Sequence, residues 1–93
     1  MVYKLLTPDV RGAIEFCLME IPAGMSTSEK MHNHEGEETA YIMSGETDIF
    51  LGEKKYHLRE EDGVRIPPAM PHKWVDTSKE IVKVVFAVTP SAF

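Results

Sequence analysis

An all-β domain, closed into a small barrel or folded as a two-sheet jelly roll, is the fold class this sequence predicts. Three observations predict it. No window carries apolar residues at i, i+3, i+4 and i+7; short alternating or β-branched runs recur instead; and turn residues separate those runs. Helix should be nearly absent. Eight short strands must hide their edges, which closure or sheet stacking achieves, and either solution encloses a cavity.

The elements follow in order. Strands are expected over residues 3–6 (YKLL), 13–21 (AIEFCLMEI), 38–43 (ETAYIM), 47–51 (TDIFL), 55–58 (KYHL), 63–66 (GVRI), 72–76 (HKWVD) and 81–89 (IVKVVFAVT). The breaks carry turn chemistry at Ser44-Gly45, Gly52-Glu53, Glu61-Asp62-Gly63 and the proline-rich IPPAMP. In the last strand Val82, Val84, Phe86 and Val88 line one face and Lys83, Val85 and Ala87 the other. That second face is too apolar to be bathed fully in water. Two arrangements would cover it: a homodimer interface, or packing inside the monomer on the N-terminal strand, where Cys17 and Met19 offer similar side chains.

A chain of 93 residues has material for one core, so residues 1–93 are expected to form one domain. Hydrophobic residues at 43% and charged residues at 27% match a globular protein and argue against disorder. The formal net charge is −5 and the ten basic residues are scattered, so no basic stripe exists for direct nucleic-acid binding. No apolar run approaches the roughly 20 residues of a bilayer span, and MVYKLLTPDV lacks the features of a secretory signal. A cytoplasmic protein without membrane partners is expected. Cys17 is the one cysteine, which excludes an internal disulfide and a Cys-based zinc cluster. Any metal must be held by nitrogen and oxygen.

The stretch HNHEGEETAYIMSG contains candidate ligands. His32, His34 and Glu38 share parity, so in an extended segment they point the same way. Two histidines at i and i+2 suit a single ion, because their Cβ atoms lie about 6.5 Å apart and both rings can turn inward. Taken alone, the pattern fits a metal site and a solvated polar loop equally well. IPPAMPHKW adds His72, presented by a segment that Pro67, Pro68 and Pro71 stiffen. His57 lies outside this constellation and is expected to face solvent. Glu35 and Glu37 have the opposite parity, although one bulge would exchange Glu37 for Glu38. Trp74, two residues after His72, suits a pocket wall or a core aromatic, and Met25, Met31, Met43 and Met70 suit adaptable packing.

These two segments resemble the two motifs of the cupins, small β-barrel proteins, over nearly the whole chain. The first motif, G-x5-H-x-H-x3,4-E-x6-G, is matched by His32, His34, Glu38 and Gly45, with the leading glycine displaced to Gly24. The second, G-x5-P-x-G-x2-H-x3-N, is matched by Pro67 and His72, with Glu61, Ala69 and Asp76 where Gly, Gly and Asn belong. Alanine at 69 is strained if that turn needs a positive φ. The resemblance implies that His32, His34, Glu38 and His72 bind one divalent transition metal inside the barrel. Three imidazoles and a carboxylate suit Fe, Mn, Ni, Zn, Co or Cu, with positions left open for a ligand.

HEGEETAYIMSG, the IPPAMPH turn and the ending VTPSAF are similar to the C-terminal cupin domains of bacterial regulators that carry an N-terminal helix-turn-helix. That likeness implies a sensor or binding module holding a small polar or anionic ligand. The alternatives are a metal-dependent cupin enzyme, a dioxygenase or isomerase, and a metal-free structural dimer. Any catalysis would have to run through the metal, because no catalytic triad, phosphate loop or cofactor fingerprint is present and no general base is evident.

Overall fold

The structure is a computed structural model and describes residues 1–27 and 35–91. Eight strands appear: β1 (Val2–Leu5), β2 (Glu15–Ile21), β3 (Glu37–Ser44), β4 (Glu46–Leu51), β5 (Lys54–Arg59), β6 (Gly63–Ile66), β7 (His72–Val75) and β8 (Val82–Thr89). They form two antiparallel sheets, one of five strands in the order β1-β2-β8-β3-β6 and one of three in the order β5-β4-β7. Each expected strand is present, and the described residues contain no helix.

Alternation along the strands builds the core. The five-stranded sheet turns Met19, Ile21, Ile42, Val82, Val84, Phe86 and Val88 inward, and Ile49 and Trp74 answer from the other sheet. Ile21, Ile42, Ile49 and Ile66 are fully buried, each worth roughly 1.5–3 kcal/mol relative to exposure. Cys17 pairs with Phe86 and Met19 with Val84, so those two side chains share the inner face. Cys17 and Met19 therefore do not cover Val85 and Ala87, because they lie on the opposite side of the sheet.

Three corners carry the chain from one sheet to the other on residues with positive φ. Gly45 (φ 85°) leads β3 into β4, Glu61 (φ 73°) lies between β5 and β6, and Ala69 (φ 64°) lies between β6 and β7. Gly36, just before β3, is a different case: a Cβ there would stand 2.5 Å from the carbonyl oxygen of Pro90 and 2.8 Å from Val88 Cγ1. Only glycine lets those two backbones approach so closely.

The free edge of β7 is covered by residues before β3. Ser26 bridges to Val75, Thr27 donates its backbone N–H to the Trp74 carbonyl at 2.9 Å, and Asp76 donates to the Met25 carbonyl at 2.8 Å. The Trp74 N–H in turn donates to Thr27 Oγ1 at 3.1 Å. This satisfies an otherwise open ladder edge and brings the chain leading to His32 alongside the strand that bears His72.

Candidate functional site

Glu38 and His72 come from different sheets and meet. Glu38 lies in β3 opposite Val88 and Ile66, facing inward and 5% exposed. Its neighbour Glu37 is exposed, as is Glu35. The register shift in this ladder falls between Ile42 and Ser44, beyond the site, so parity assigns the inward position to Glu38. His72 opens β7, 7% exposed, with Nε2 3.9 Å from Glu38 Oε1.

The orientation of the imidazole has a local cause. Met70 N–H donates to the Pro67 carbonyl at 3.2 Å, closing a turn with Pro68 first and Ala69 second of its central residues. Proline followed by a positive φ is the type II pattern, which favours glycine at the second position. Alanine there is strained, and the Ala69 turn holds the Met70 carbonyl 2.9 Å from His72 Nδ1. A carbonyl only accepts, so Nδ1 carries the proton, and in the neutral ring Nε2 presents its lone pair toward Glu38. Orientation of a ligand histidine by a backbone carbonyl at its second nitrogen is the usual support in metal sites.

A separation of 3.9 Å is too long for a hydrogen bond and short enough for one divalent cation to serve both groups. His32 and His34 lie outside the described residues. Among the described residues no group of three or more His, Cys, Asp or Glu could hold a metal ion; the described part of the predicted set is a converging pair whose donor chemistry fits such an ion.

Two inner-wall groups, Glu15 and Cys17, and the half-exposed Tyr3 on β1 were not expected near this pair from sequence. Glu15 stands opposite Val88, as Glu38 does from the other side, so the two glutamates flank Val88 on one inward row. The Cys17 thiol lies 3.7 Å from Glu15 Oε2 as donor. Its pKa is pushed up to about 11, first by burial and then by the charges of Glu15 and Glu38. The Tyr3 hydroxyl is raised above its ordinary value by burial, Glu38 and Cys17, in that order. Strand parity from Met19 and Ile21 back through Cys17 to Glu15 was the available signal.

The remaining candidates separate. Trp74 is 3% exposed and belongs to the core between the sheets. Met70 packs against that core, whereas Met25 and Met43 are half-exposed and do not; Met31 lies outside the described residues. Asp76 is fully buried, and its Oδ1 accepts from Ser78 N–H at 2.8 Å and Ser78 Oγ at 2.6 Å, tying down the crossing from β7 to β8. Asp76 Oδ2 has no hydrogen-bond partner among the described residues. His57 lies on the outer face of the three-stranded sheet with Nδ1 2.7 Å from Asp48 Oδ1 and Nε2 3.4 Å from Glu46 Oε2. It is an ion-pairing surface histidine, far from solvated isolation but outside the site.

A family model described as a cupin domain matches residues 17–88. The chain belongs to the cupin family. This cupin is 31% identical over 70 residues to the HTH-type transcriptional regulator PuuR of Escherichia coli, a match covering 75% of the chain and 37% of the regulator. It is also 31% identical over 90 residues to the polyketide synthase CurC of Streptomyces cyaneus, covering 95% of the chain and 58% of that protein. The chain thus spans well under two thirds of the curated relatives it matches. Among solved structures, the cupin domain of an XRE family transcriptional regulator from Enterobacter cloacae superposes with a TM-score of 0.82 at 21% identity, covering 95% of this chain and 94% of that one. A cupin barrel protein from Rhodopseudomonas palustris gives a TM-score of 0.83 at 21% identity, covering 96% of this chain and 60% of that one. Similarity to regulator cupin domains agrees with the resemblance read from the motifs. Among the described residues, no helix is long and apolar enough to cross a membrane.

Proposed function

We propose that this cupin is a cytoplasmic, homodimeric binding module that holds a small-molecule ligand beside one divalent transition metal (Fe, Mn, Ni, Zn, Co or Cu). His32, His34, Glu38 and His72 would hold the metal. The observation that carries the proposal is the approach of His72 Nε2 to Glu38 Oε1 at 3.9 Å, with the ring oriented by the Met70 carbonyl. The metal would supply Lewis acidity and open coordination positions for a polar ligand group. Similarity to PuuR and to the XRE regulator domain supports a sensing role.

A second reading, a metal-dependent dioxygenase or isomerase, draws on the likeness to CurC. The inner wall supplies the acid–base group that reading needs, because Glu15 faces the same interior as Glu38. Turnover separates the readings: product formation or oxygen uptake with Fe(II) supports the enzyme, and tight binding without conversion supports the module.

Thermal melting tests the metal site itself. A divalent metal at 100 times its Kd should add about 2.7 kcal/mol to stability, because only the folded chain assembles the site. His72→Ala and Glu38→Gln should each abolish the shift. Melting that is indifferent to all six metals would contradict the proposal and leave a metal-free structural dimer.

A further inference from the structure

The outer face of the three-stranded sheet gathers uncompensated positive charge on a chain whose formal net charge is −5. Register sets its side chains in cross-strand rows. Phe50 stands directly opposite Lys55 on one side and Lys73 on the other, so one row is an aromatic ring between two lysines. In the next row Asp48 stands between His57 and Val75, and in the last Glu46 faces Arg59.

Both carboxylates of this face are already committed to His57. Asp48 Oδ1 lies 2.7 Å from its Nδ1, and Glu46 Oε2 lies 3.4 Å from its Nε2. Arg59 therefore gains nothing from the glutamate opposite it. Among the described residues, no ion pair includes Lys55, Arg59 or Lys73. Lys73 instead holds its Nζ 5.6 Å from the centroid of the Phe50 ring, a cation resting on an aromatic face. Lys55 and Arg59 are exposed, and Phe50, Lys73 and Val75 are partly so.

We propose that this face docks an extended acidic peptide segment of a partner protein, whose carboxylates meet Lys55, Arg59 and Lys73 while an apolar side chain rests on Phe50 and Val75. Spacing supports an extended segment. Lys55 and Arg59 both turn outward on β5 four residues apart, about 13 Å, which is the separation of side chains i and i+4 on a second extended chain. Lys73 stands two strands from Lys55, about 9.6 Å across the sheet. Charge complementarity selects the chemistry: the net −5 disfavours acidic partners in general, so three unpaired cations localise them here. Nucleic acid fits this face less well. Three fixed cations match few phosphates, the net charge opposes a dense polyanion, and Lys73 occupies the Phe50 face on which a base would stack. The proposal stands apart from the metal-site reading, since none of these residues belongs to that site.

NMR titration of the purified chain with the end-capped peptide Glu-Glu-Leu-Glu-Glu, at low salt and neutral pH, tests it. Exposed ion pairs are individually weak, so a Kd on the order of 0.1–1 mM is expected. Amide shifts should concentrate on β4, β5 and β7, and added salt should weaken the binding. Lys55→Glu and Arg59→Glu alter exposed side chains and should melt as the wild type does, yet each should weaken binding by at least about fivefold. Lys4→Glu, on the other sheet, changes the net charge by the same amount and should leave the Kd within about twofold. The uncharged peptide Gln-Gln-Leu-Gln-Gln should produce no shifts on this face. Absence of shifts on these strands at several millimolar acidic peptide would overturn the proposal, as would equal weakening by Lys4→Glu. Tighter binding of a short oligothymidylate than of the peptide would overturn it in favour of nucleic acid.

Discussion

The outer faces of the two sheets are built on different rules. Across the five-stranded sheet the outward residues include Val2, Phe16, Leu18, Val85, Ala87 and Tyr41, with Lys4, Glu20 and Lys83 toward the margins. Across the three-stranded sheet the outward residues are Lys55, His57 and Arg59 on β5, Glu46, Phe50 and the buried Asp48 on β4, and Lys73 and Val75 on β7. Even the aromatic Phe50 is covered there, with Lys73 Nζ 5.6 Å from its ring centroid. Alternation alone makes one face of each strand turn outward; the residues placed on that face decide whether it meets water or protein. The outward residues of the three-stranded sheet are mostly charged, and those at the middle of the five-stranded sheet are mostly apolar.

The inner faces do not share this difference, and the largest predicted effect checks that. Ile42 on β3 and Ile49 on β4 are both fully buried. Ile42→Ala and Ile49→Ala should each cost about 2–5 kcal/mol in urea unfolding, through lost burial and a residual cavity. If one sheet tolerated the change at under about 1 kcal/mol, the two would not share one close-packed core.

The crossings between sheets give a smaller effect of opposite sign. Glu61 and Ala69 hold left-handed backbone conformations at φ 73° and 64°, which cost a residue with a Cβ roughly 1 kcal/mol or more. Ala69→Gly and Glu61→Gly should therefore raise stability, by about 0.5–1 kcal/mol each after the added entropy of the unfolded glycine is offset. Loss of stability in both would mean that these turns are not strained.

The smallest effect belongs to the solvent face. The hydrogen bond to Asp48, then that to Glu46, holds His57 above its ordinary value of 6.5. A raised folded pKa stabilises fully below the unfolded value and loses that contribution as pH rises through the folded value. His57→Gln should therefore destabilise slightly at pH 5.5 and less at pH 9, with added salt shrinking the difference. A deficit that grows toward high pH would contradict the pairing.

Much of this was legible in the chain. Period-two alternation and turn residues located every strand, and parity placed Glu38 inward and Glu37 outward. The strand ends were less legible: Ala13 and Ile14 continue an apolar run, but the ladder with β8 begins only at Glu15, opposite Val88. Ile81 was counted with the last strand, yet it stands outside that ladder and is 53% exposed. The neighbour order β1-β2-β8-β3-β6 was not readable, because pairing of distant strands is a tertiary choice that no local pattern encodes. For the same reason Glu15, Cys17 and Tyr3 could be assigned an inward direction but not a place beside Glu38. The strain at Ala69 was foreseeable from the missing glycine; that Glu61 keeps the same left-handed geometry was visible only once its turn was seen.

The proposed metal centre is most directly tested by X-ray absorption at the metal edges, on protein purified without chelators or affinity nickel. Prediction: one divalent first-row ion per chain, in a nitrogen- and oxygen-only shell with several imidazoles, whose signal disappears in His72→Ala. A chain that carries no such ion even after incubation with all six metals, or one whose ion is unaffected by losing His72, would contradict it.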